Sequence, residues 1–577
     1  MSFSELFSTA SLLGIAGISV LSGVLLFFAS LKFLLALQQC GYRGKRYFKW
    51  LTSPETPYLS RLMLLCILGF LFFLVLGTNF APIVGENAAA YVGFASFVLF
   101  TALYIRTESA VNAKVPLKKT KRLVRLCITF AFTLTVFVFG LMLLCSSVAI
   151  WIGDEIVWLL RYSLICGVPI LLPYLLFVAY LINEPMEEFI KRHYIRQAKT
   201  KLESSNVLRI GITGSYGKTS VKEILKTILS QKYRVLATPA SYNTPLGIAI
   251  TVKSLDSTHD VFLAEMGARN KGDIKELALL VKPDYGVLTG INNQHLESFG
   301  TIENIKNTKF ELFENLAQNA RDCGDGLNNG QVRNGRGDGN GRNGKGFFSS
   351  DNEGARELYE RFGGEKYFAG INGAENDLVT ATELATSEQG TSFTLNIAGE
   401  KPVACSTVLL GRHSVSNICL AAAVAYKVGL TPEEIAKGIN RLQSVGHRLE
   451  LVPNNKKIVI IDDSYNCNED GAKAAMEVLD TFKGRKIVVT PGLVELGKME
   501  NVANLSFGTL LAAHADKVIV IGKHNAEMII NGLTAGGMDK ADISFAKNLN
   551  KGNEILNAML EEGDVVLFEN DLPDNYS

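Results

Sequence analysis

The sequence lacks the residues that build a metal-thiolate or disulfide-stapled protein. Its nine cysteines contain no CxxC pair, and its seven histidines are dispersed. That spacing excludes a zinc ribbon and a cross-linked secreted scaffold, and fits reduced thiols in a cytoplasmic compartment. Cys66, Cys127, Cys145 and Cys166 lie in apolar runs. An excess of one charge sign is missing too. Lys and Arg number 58 against 56 Asp and Glu, a formal net charge of +2, so nothing argues for nucleic acid as a partner. The first nine residues, MSFSELFST, hold no Lys or Arg, and the apolar run behind them is longer than a signal-peptide core.

What the sequence has instead is a first third rich in long apolar runs, which lifts the mean hydropathy to +0.18. Five runs, at residues 12–37, 62–80, 88–105, 126–150 and 157–182, match the ~20 residues that cross a hydrocarbon core. The loops between them alternate in charge. Arg43, Lys45, Arg46, Lys49 and Arg61 follow the first run, Lys118, Lys119, Lys121, Arg122 and Arg125 precede the fourth, and Lys191 and Arg192 follow the fifth. The other two loops are acidic. This predicts five membrane helices with the N-terminus outside and everything after residue 182 in the cytoplasm. Arg161 reads as a residue snorkelling near the outer interface, and Pro169 and Pro173 as kinks. Residues 184–204 mix charges with Phe189, Ile190, Tyr194 and Ile195, the pattern of an amphipathic linker on the lipid surface.

From residue 205 the pattern changes. Short β runs at 207–212, 260–265, 285–289, 458–461, 486–490 and 517–521 alternate with helical spacing. That is the signature of α/β domains with largely parallel sheets. Residues 321–347 are dominated by Gly and Asn and read as a disordered insertion. A boundary falls at 447–453. The expected organisation is a membrane domain (1–183), a linker (184–204), a central domain (205–447) and a C-terminal domain (448–577).

Residues 211–220, GITGSYGKTS, end a β run and open a helix. Glycines there let backbone N–H groups turn toward phosphates, and the helix N-terminus adds partial positive charge. Gly214, Ser215, Gly217, Lys218, Thr219 and Ser220 are the expected cradle, with Lys218 on the β/γ-phosphates and Thr219 on Mg²⁺. The strict GxxxxGK[ST] form fails, because position 212 is Ile.

This variant of the loop resembles that of the Mur ligase superfamily, ATP-dependent ligases that build the peptide stem of peptidoglycan. Further matches follow in order: SYNTPLG (241–247), AEMGARNKGDI (264–274), NNQHLESFG (292–300), IKNTKFEL (305–312), GRHSVSN (411–417), HRLE (447–450) and DDSYNCNED (462–470). The DDSYN spelling and VELG at 494–497 are most similar to the D-alanyl-D-alanine-adding branch. The similarity covers roughly residues 205–570. It implies a P-loop central ATPase domain with a parallel sheet and a C-terminal Rossmann-like α/β domain. It also implies that a carboxylate is phosphorylated by ATP to an acyl phosphate, which an amine attacks. By resemblance, Thr219 and Glu265 hold one Mg²⁺, His295 serves a second, and Lys309 is carbamylated into an anionic ligand. Lys218, Lys309 and His295 are then the catalytic set. Asn417, Arg448 and Asp463 would contact the nucleotide, with Asp462 an alternative to Asp463, and Asn243 and Thr244 would meet substrate.

The departures fall on the substrate side. The membrane third stands where the family has a domain for the UDP part of its substrate. Gly290 replaces a usual Asn, Glu469 a usual Pro, and GDVVLFEND (563–571) lacks the branch's Lys-Gly-Ser. The expected partners are a carboxylate acceptor, a cell-wall precursor carried on a lipid in one reading, an amino acid or dipeptide amine, and membrane lipid. A poly-γ-glutamate-type synthetase is a second enzyme reading. An ATP-driven transporter or regulator is a third, weakened by the absence of an LSGGQ-like signature after the loop.

Overall fold

The computed structural model describes the chain except residues 1–8, 53–63, 65–66, 73–74, 76–78, 80–82, 84–85, 110–116, 153, 241, 295, 325–343, 372, 374–375, 455–456, 466–467, 495 and 571–577. It divides into two compact units, Met1–Lys191 and Arg192–Ser577.

The first unit is helical: Thr9–Ala29, Leu31–Gln39, Gly44–Leu51, Glu86–Ser109, Lys121–Ile152, and Asp154–Glu203, which runs on into the second unit. Among the described residues, three stretches are long and apolar enough to cross a membrane: Leu12–Ala29, Lys121–Val148 and Leu164–Glu203. Three of the five expected helices therefore reappear. The first is shorter than expected, because the helix breaks at Ser30, whose ψ of 2° leaves the helical range. The third is helical, but its apolar described part, Phe94–Arg106, is short. The second falls mostly outside the described residues. Arg161 sits in a helix, and Pro169, Pro173 and Pro185 all lie inside Asp154–Glu203 without ending it. Gly23 lets two helices approach closely, since a Cβ there would come within 2.7 Å of the Thr135 hydroxyl.

The second unit begins with the last turns of Asp154–Glu203, where the end of the expected lipid-surface linker packs on protein. Ala198 and Leu202 are buried, and Tyr194 and Ile195 half-buried, against Ile248, Val252 and Phe262 of the central domain. The C-terminal end of the face read as lipid-facing is thus covered by protein, whereas Phe189 is 72% exposed. Arg209 donates to the Leu202 carbonyl at 2.6 Å and Lys201 to that of Lys253 at 2.7 Å, which fixes the helix end.

The central domain is a nine-stranded sheet. Its strands are β1 Leu208–Thr213, β2 Val235–Ala237, β3 Val261–Glu265, β4 Tyr285–Leu288, β5 Lys345–Ser349, β6 Glu365–Gly370, β7 Asp377–Ser387, β8 Gly390–Ile397 and β9 Val403–Thr407. The spatial order is β2-β3-β1-β4-β5-β6-β7-β8-β9. Pairing is parallel as far as β7 and antiparallel from β7 through β9. Strand β5 corrects the edge of the expected insertion. Phe347 and Phe348 are fully buried, which their apolar rings require, and the helix before the insertion reaches Gly324.

The C-terminal domain has six strands: β10 Glu450–Leu451, β11 Val459–Asp463, β12 Lys486–Thr490, β13 Lys517–Ile521, β14 Ile543–Ala546 and β15 Val565–Glu569. They are ordered β10-β11-β15-β12-β13-β14 and parallel except for β10. Because β1, β3 and β4 run parallel, their C-terminal ends gather at one edge, where open α/β sheets bind ligands.

Candidate functional site

The loop after β1 is shaped by glycine. Gly214 has φ +152°, and a Cβ there would lie 2.1 Å from the Thr289 hydroxyl. Gly217 has φ +74° and caps the helix Lys218–Leu229, with the Asn417 side chain 3.0 Å from where its Cβ would be. The loop is tied to the end of β4, since Ser215 N–H donates to Gly290 O at 2.8 Å and the Thr289 hydroxyl donates to the Tyr216 carbonyl. Ser220 lies in the first turn of the helix.

Lys218 folds back on this loop, donating to Gly214 O at 2.7 Å and Ser215 O at 3.0 Å. Burial pulls its pKa down to about 8, with Glu265 opposing and Arg448 adding to the shift. Glu265, at the end of β3, is 1% exposed. Its Oε2 accepts from the Thr219 hydroxyl at 3.0 Å and from Lys222 Nζ at 3.1 Å, and its Oε1 accepts from Asn243 Nδ2 at 3.2 Å. Gly267 makes room for Asn243, whose side chain a Cβ would meet at 2.7 Å. Thr244 caps the helix Pro245–Val252 by accepting from Gly247 N–H.

Lys222 was not among the residues expected from the sequence. It is fully buried and also donates to Ala240 O at 2.9 Å. A signal existed: 222, 225 and 229 lie on one helix face, and Leu225 and Leu229 are apolar, so a Lys there had to be buried with a partner.

Lys309, on the helix Ile302–Gly324, is 2% exposed. Among the described residues its amine makes no hydrogen bond or ion pair, and it stands 6.0 Å from the centre of the Phe299 ring. Burial holds its pKa well below the usual lysine range, with the Lys218 charge adding to the effect. His295 lies outside the described residues.

From the C-terminal domain, Asp463 accepts from Leu449 N–H at 3.2 Å, and burial raises its carboxyl to about 6. Asp462 is committed elsewhere, 2.7 Å from His447 Nδ1 and accepting from the Ser464 hydroxyl at 2.6 Å. This separates two carboxylates that the sequence left ambiguous. The Arg448 guanidinium stacks 4.6 Å over the Tyr465 ring. A direct bond joins the two domains at this edge, Asn292 Nδ2 to Asp470 Oδ2 at 3.0 Å. Among the described residues no group of three His, Cys, Asp or Glu side chains clusters as a metal site. The oxygen donors that gather are Glu265 and Thr219, and hard oxygens suit Mg²⁺.

Comparisons with known proteins agree with this arrangement. The family description "Mur ligase middle domain" matches residues 212–322, and "Mur ligase, glutamate ligase domain" matches 447–569. The chain is 28% identical over 382 residues to the UDP-N-acetylmuramoyl-tripeptide–D-alanyl-D-alanine ligase of Bacillus subtilis, covering 64% of this chain and 75% of that one. The Escherichia coli enzyme of the same name is 30% identical over 320 residues, covering 55% and 65%. Among solved structures, MurF from Acinetobacter baumannii superposes with a TM-score of 0.55 at 23% identity, over 66% of this chain and 77% of that one. MurF ligase from Thermotoga maritima, in complex with ADP, also gives 0.55 at 24% identity, over 66% and 80%. Residues 212–322 and 447–569 are the middle and C-terminal domains of a Mur ligase, an ATP-dependent amide-bond-forming enzyme.

Proposed function

We propose that this chain is a bacterial membrane-held ligase that uses ATP to join an amine to the carboxylate of a cell-wall precursor through an acyl phosphate. The observation that carries the reading is Glu265, held by Thr219 and Asn243 at the end of β3 beside the phosphate loop. The two Mur ligase domains and the two relatives named above support a peptidoglycan precursor as acceptor and an amino acid or dipeptide as amine.

In this reading the acceptor carboxylate attacks the γ-phosphorus of ATP and ADP leaves. The amine then attacks the acyl carbon, and phosphate departs with one former carboxylate oxygen. The Gly214–Gly217 turn and Lys218 neutralise and orient the phosphates, and Ser215, Ser220, Asn417, Arg448 and Asp463 complete the nucleotide's surroundings. Thr219 and Glu265 would hold Mg²⁺, joined by His295 and a carbamylated Lys309. Bound there, the ions neutralise charge on the transferring phosphoryl group. The lowered pKa of Lys309 supports carbamylation, because only the neutral amine attacks CO₂, and conversion to a carbamate turns an unpaired buried amine into an oxygen donor. Asn243 and Thr244 would meet the acceptor. A cavity of about 200 Å³ at the C-terminal ends of β11, β12, β13 and β15, lined by Asp462, Ser464, Pro491, Phe568 and Asn570, suits the amine. The Mur ligase match begins at residue 212, and three membrane-length apolar helices lie before it, which favours a lipid-linked acceptor.

The test is to incubate the detergent-solubilised full chain with ATP, Mg²⁺, D-alanyl-D-alanine or single amino acids, and either UDP-linked or lipid-linked muramyl peptides. Mass spectrometry should find the amide on the lipid-linked acceptor. Equal turnover of the UDP-linked one would refute the lipid-linked part, and ATP-dependent export without any amide would refute the ligase.

A further inference from the structure

Tyr216 stands inside the phosphate loop, directly before Gly217, yet nothing above gives its ring a task. The ring fills the space over Gly290. A Cβ at 290 would come within 2.6 Å of both the Tyr216 ring carbon Cζ and its hydroxyl. Gly290 has no left-handed φ, so space and not backbone conformation requires the glycine. The Tyr216 hydroxyl accepts from Asn352 Nδ2 at 3.2 Å. Asn352 is a junction. Its Nδ2 also donates to Ile291 O at 3.0 Å, and its Oδ1 accepts from Ile291 N–H at 3.0 Å and from Ala355 N–H at 2.9 Å, capping the helix Glu353–Arg361. The next residue of the same loop, Asn292, makes the bond to Asp470 at the start of the C-terminal helix Glu469–Leu479. Burial, with the Asp470 carboxylate nearby, raises the phenol to about 12, so it stays protonated in the working pH range.

We propose that Tyr216 is a positioning residue that couples nucleotide occupancy of the phosphate loop to the seating of the C-terminal domain, through Asn352 and residues 290–292 to Asp470. The path is contiguous: loop backbone, phenol, amide junction, Asn292, Asp470. A shift of the loop on binding phosphates moves the ring, and the ring is packed on the strand-end segment whose Asn292 reaches across to Asp470 of the C-terminal domain. Such coupling needs an element that both sites bias, and the 290–292 segment is that element. The inference rests on the reading of residues 211–220 as the ATP site, and the experiment separates the two.

Amide hydrogen exchange of the full chain in detergent, with and without ATP, reads both ends of the path. In the wild type, ATP should protect residues 214–220 and also 469–479. In Tyr216→Phe the protection at 214–220 should remain and that at 469–479 should be lost. The kcat should fall by about tenfold, the size of one lost hydrogen bond, with KM for ATP changed less than about threefold. Asp470→Ala should do the same, and the double variant should cost no more than the worse single one, since both sit on one path. Gly290→Ala, which pushes the ring out, should also unlink the two protections. Retained protection of 469–479 in Tyr216→Phe, or additive losses in the double variant, would overturn the coupling. A wild type in which ATP protects neither segment would overturn the ATP-site reading itself.

Discussion

At the phosphate-loop edge of the central domain, the side chains at the strand ends are paired with one another and with the loop. Glu265 spends both oxygens on Thr219, Lys222 and Asn243, and Lys218 rests on the loop carbonyls. The facing edge of the C-terminal domain is built differently. Arg448 and Asp463 follow or pair with a segment in which His447 and Leu449 hold positive φ, 61° and 45°, values that side chains with a Cβ rarely adopt. A direct bond, Asn292 to Asp470, spans the gap. The first edge is tied together by its own side chains, and the second rests on a strained segment and a bond to Asn292. This is the division expected when closure excludes water from a reactive acyl phosphate.

The sharpest way to break the comparison is Lys218→Ala. Removing the phosphate-loop cation should lower kcat by about 10³-fold or more, as for loss of a main charge stabiliser, in a phosphate-release assay. A loss below tenfold would mean the loop is not the centre of the chemistry. Lys309→Ala should lower turnover by about 10²-fold, and short carboxylic acids should restore part of it. Rescue distinguishes a lost anionic ligand from lost packing. Lys222→Met should act on stability before activity. It leaves the Glu265 carboxylate buried beside a missing partner, at a cost of about 3–5 kcal/mol read by denaturant unfolding.

The smallest effect belongs to the C-terminal edge. Asp463 has a folded pKa near 6, above the ordinary aspartate value of 3.8, so the folded state holds its proton more tightly than the unfolded one. Its ionisation therefore costs stability, with the cost absent below pH ~4, growing up to pH ~6 and constant above. Asp463→Asn should raise the thermal midpoint at pH 7.5 by a few degrees, about 1–2 kcal/mol, and leave it unchanged at pH 4. The reverse dependence would mean Arg448 dominates over burial.

Much of this was legible in the residues. Strand ends at Thr213, Glu265, Leu288, Thr490 and Ile521 fall within a residue of the apolar runs that predict them, because interior parallel strands are continuous hydrophobic stretches. Strands β7–β9 were not seen. Their residues alternate polar and apolar and are rich in Thr and Ser, as in DLVTATELATS, so no continuous run marks them. The position of Lys222 was readable from helix spacing, but its pairing with Glu265 joins residues 43 apart in sequence and needed the fold. The Tyr216–Gly290 fit is of the same kind. Gly290 read alone is a departure from its family, and only the ring beside it supplies the reason.

The central claim, acyl transfer through a phosphorylated carboxylate at the Lys218 loop, is tested most directly by oxygen tracing. The full chain is given an acceptor whose carboxylate carries ¹⁸O, with ATP, Mg²⁺ and amine, and the released phosphate is analysed by mass. The account predicts one ¹⁸O in phosphate for each amide formed, and no labelled phosphate from Lys218→Ala. Amide formation with unlabelled phosphate, or ATP hydrolysis without amide, would contradict it.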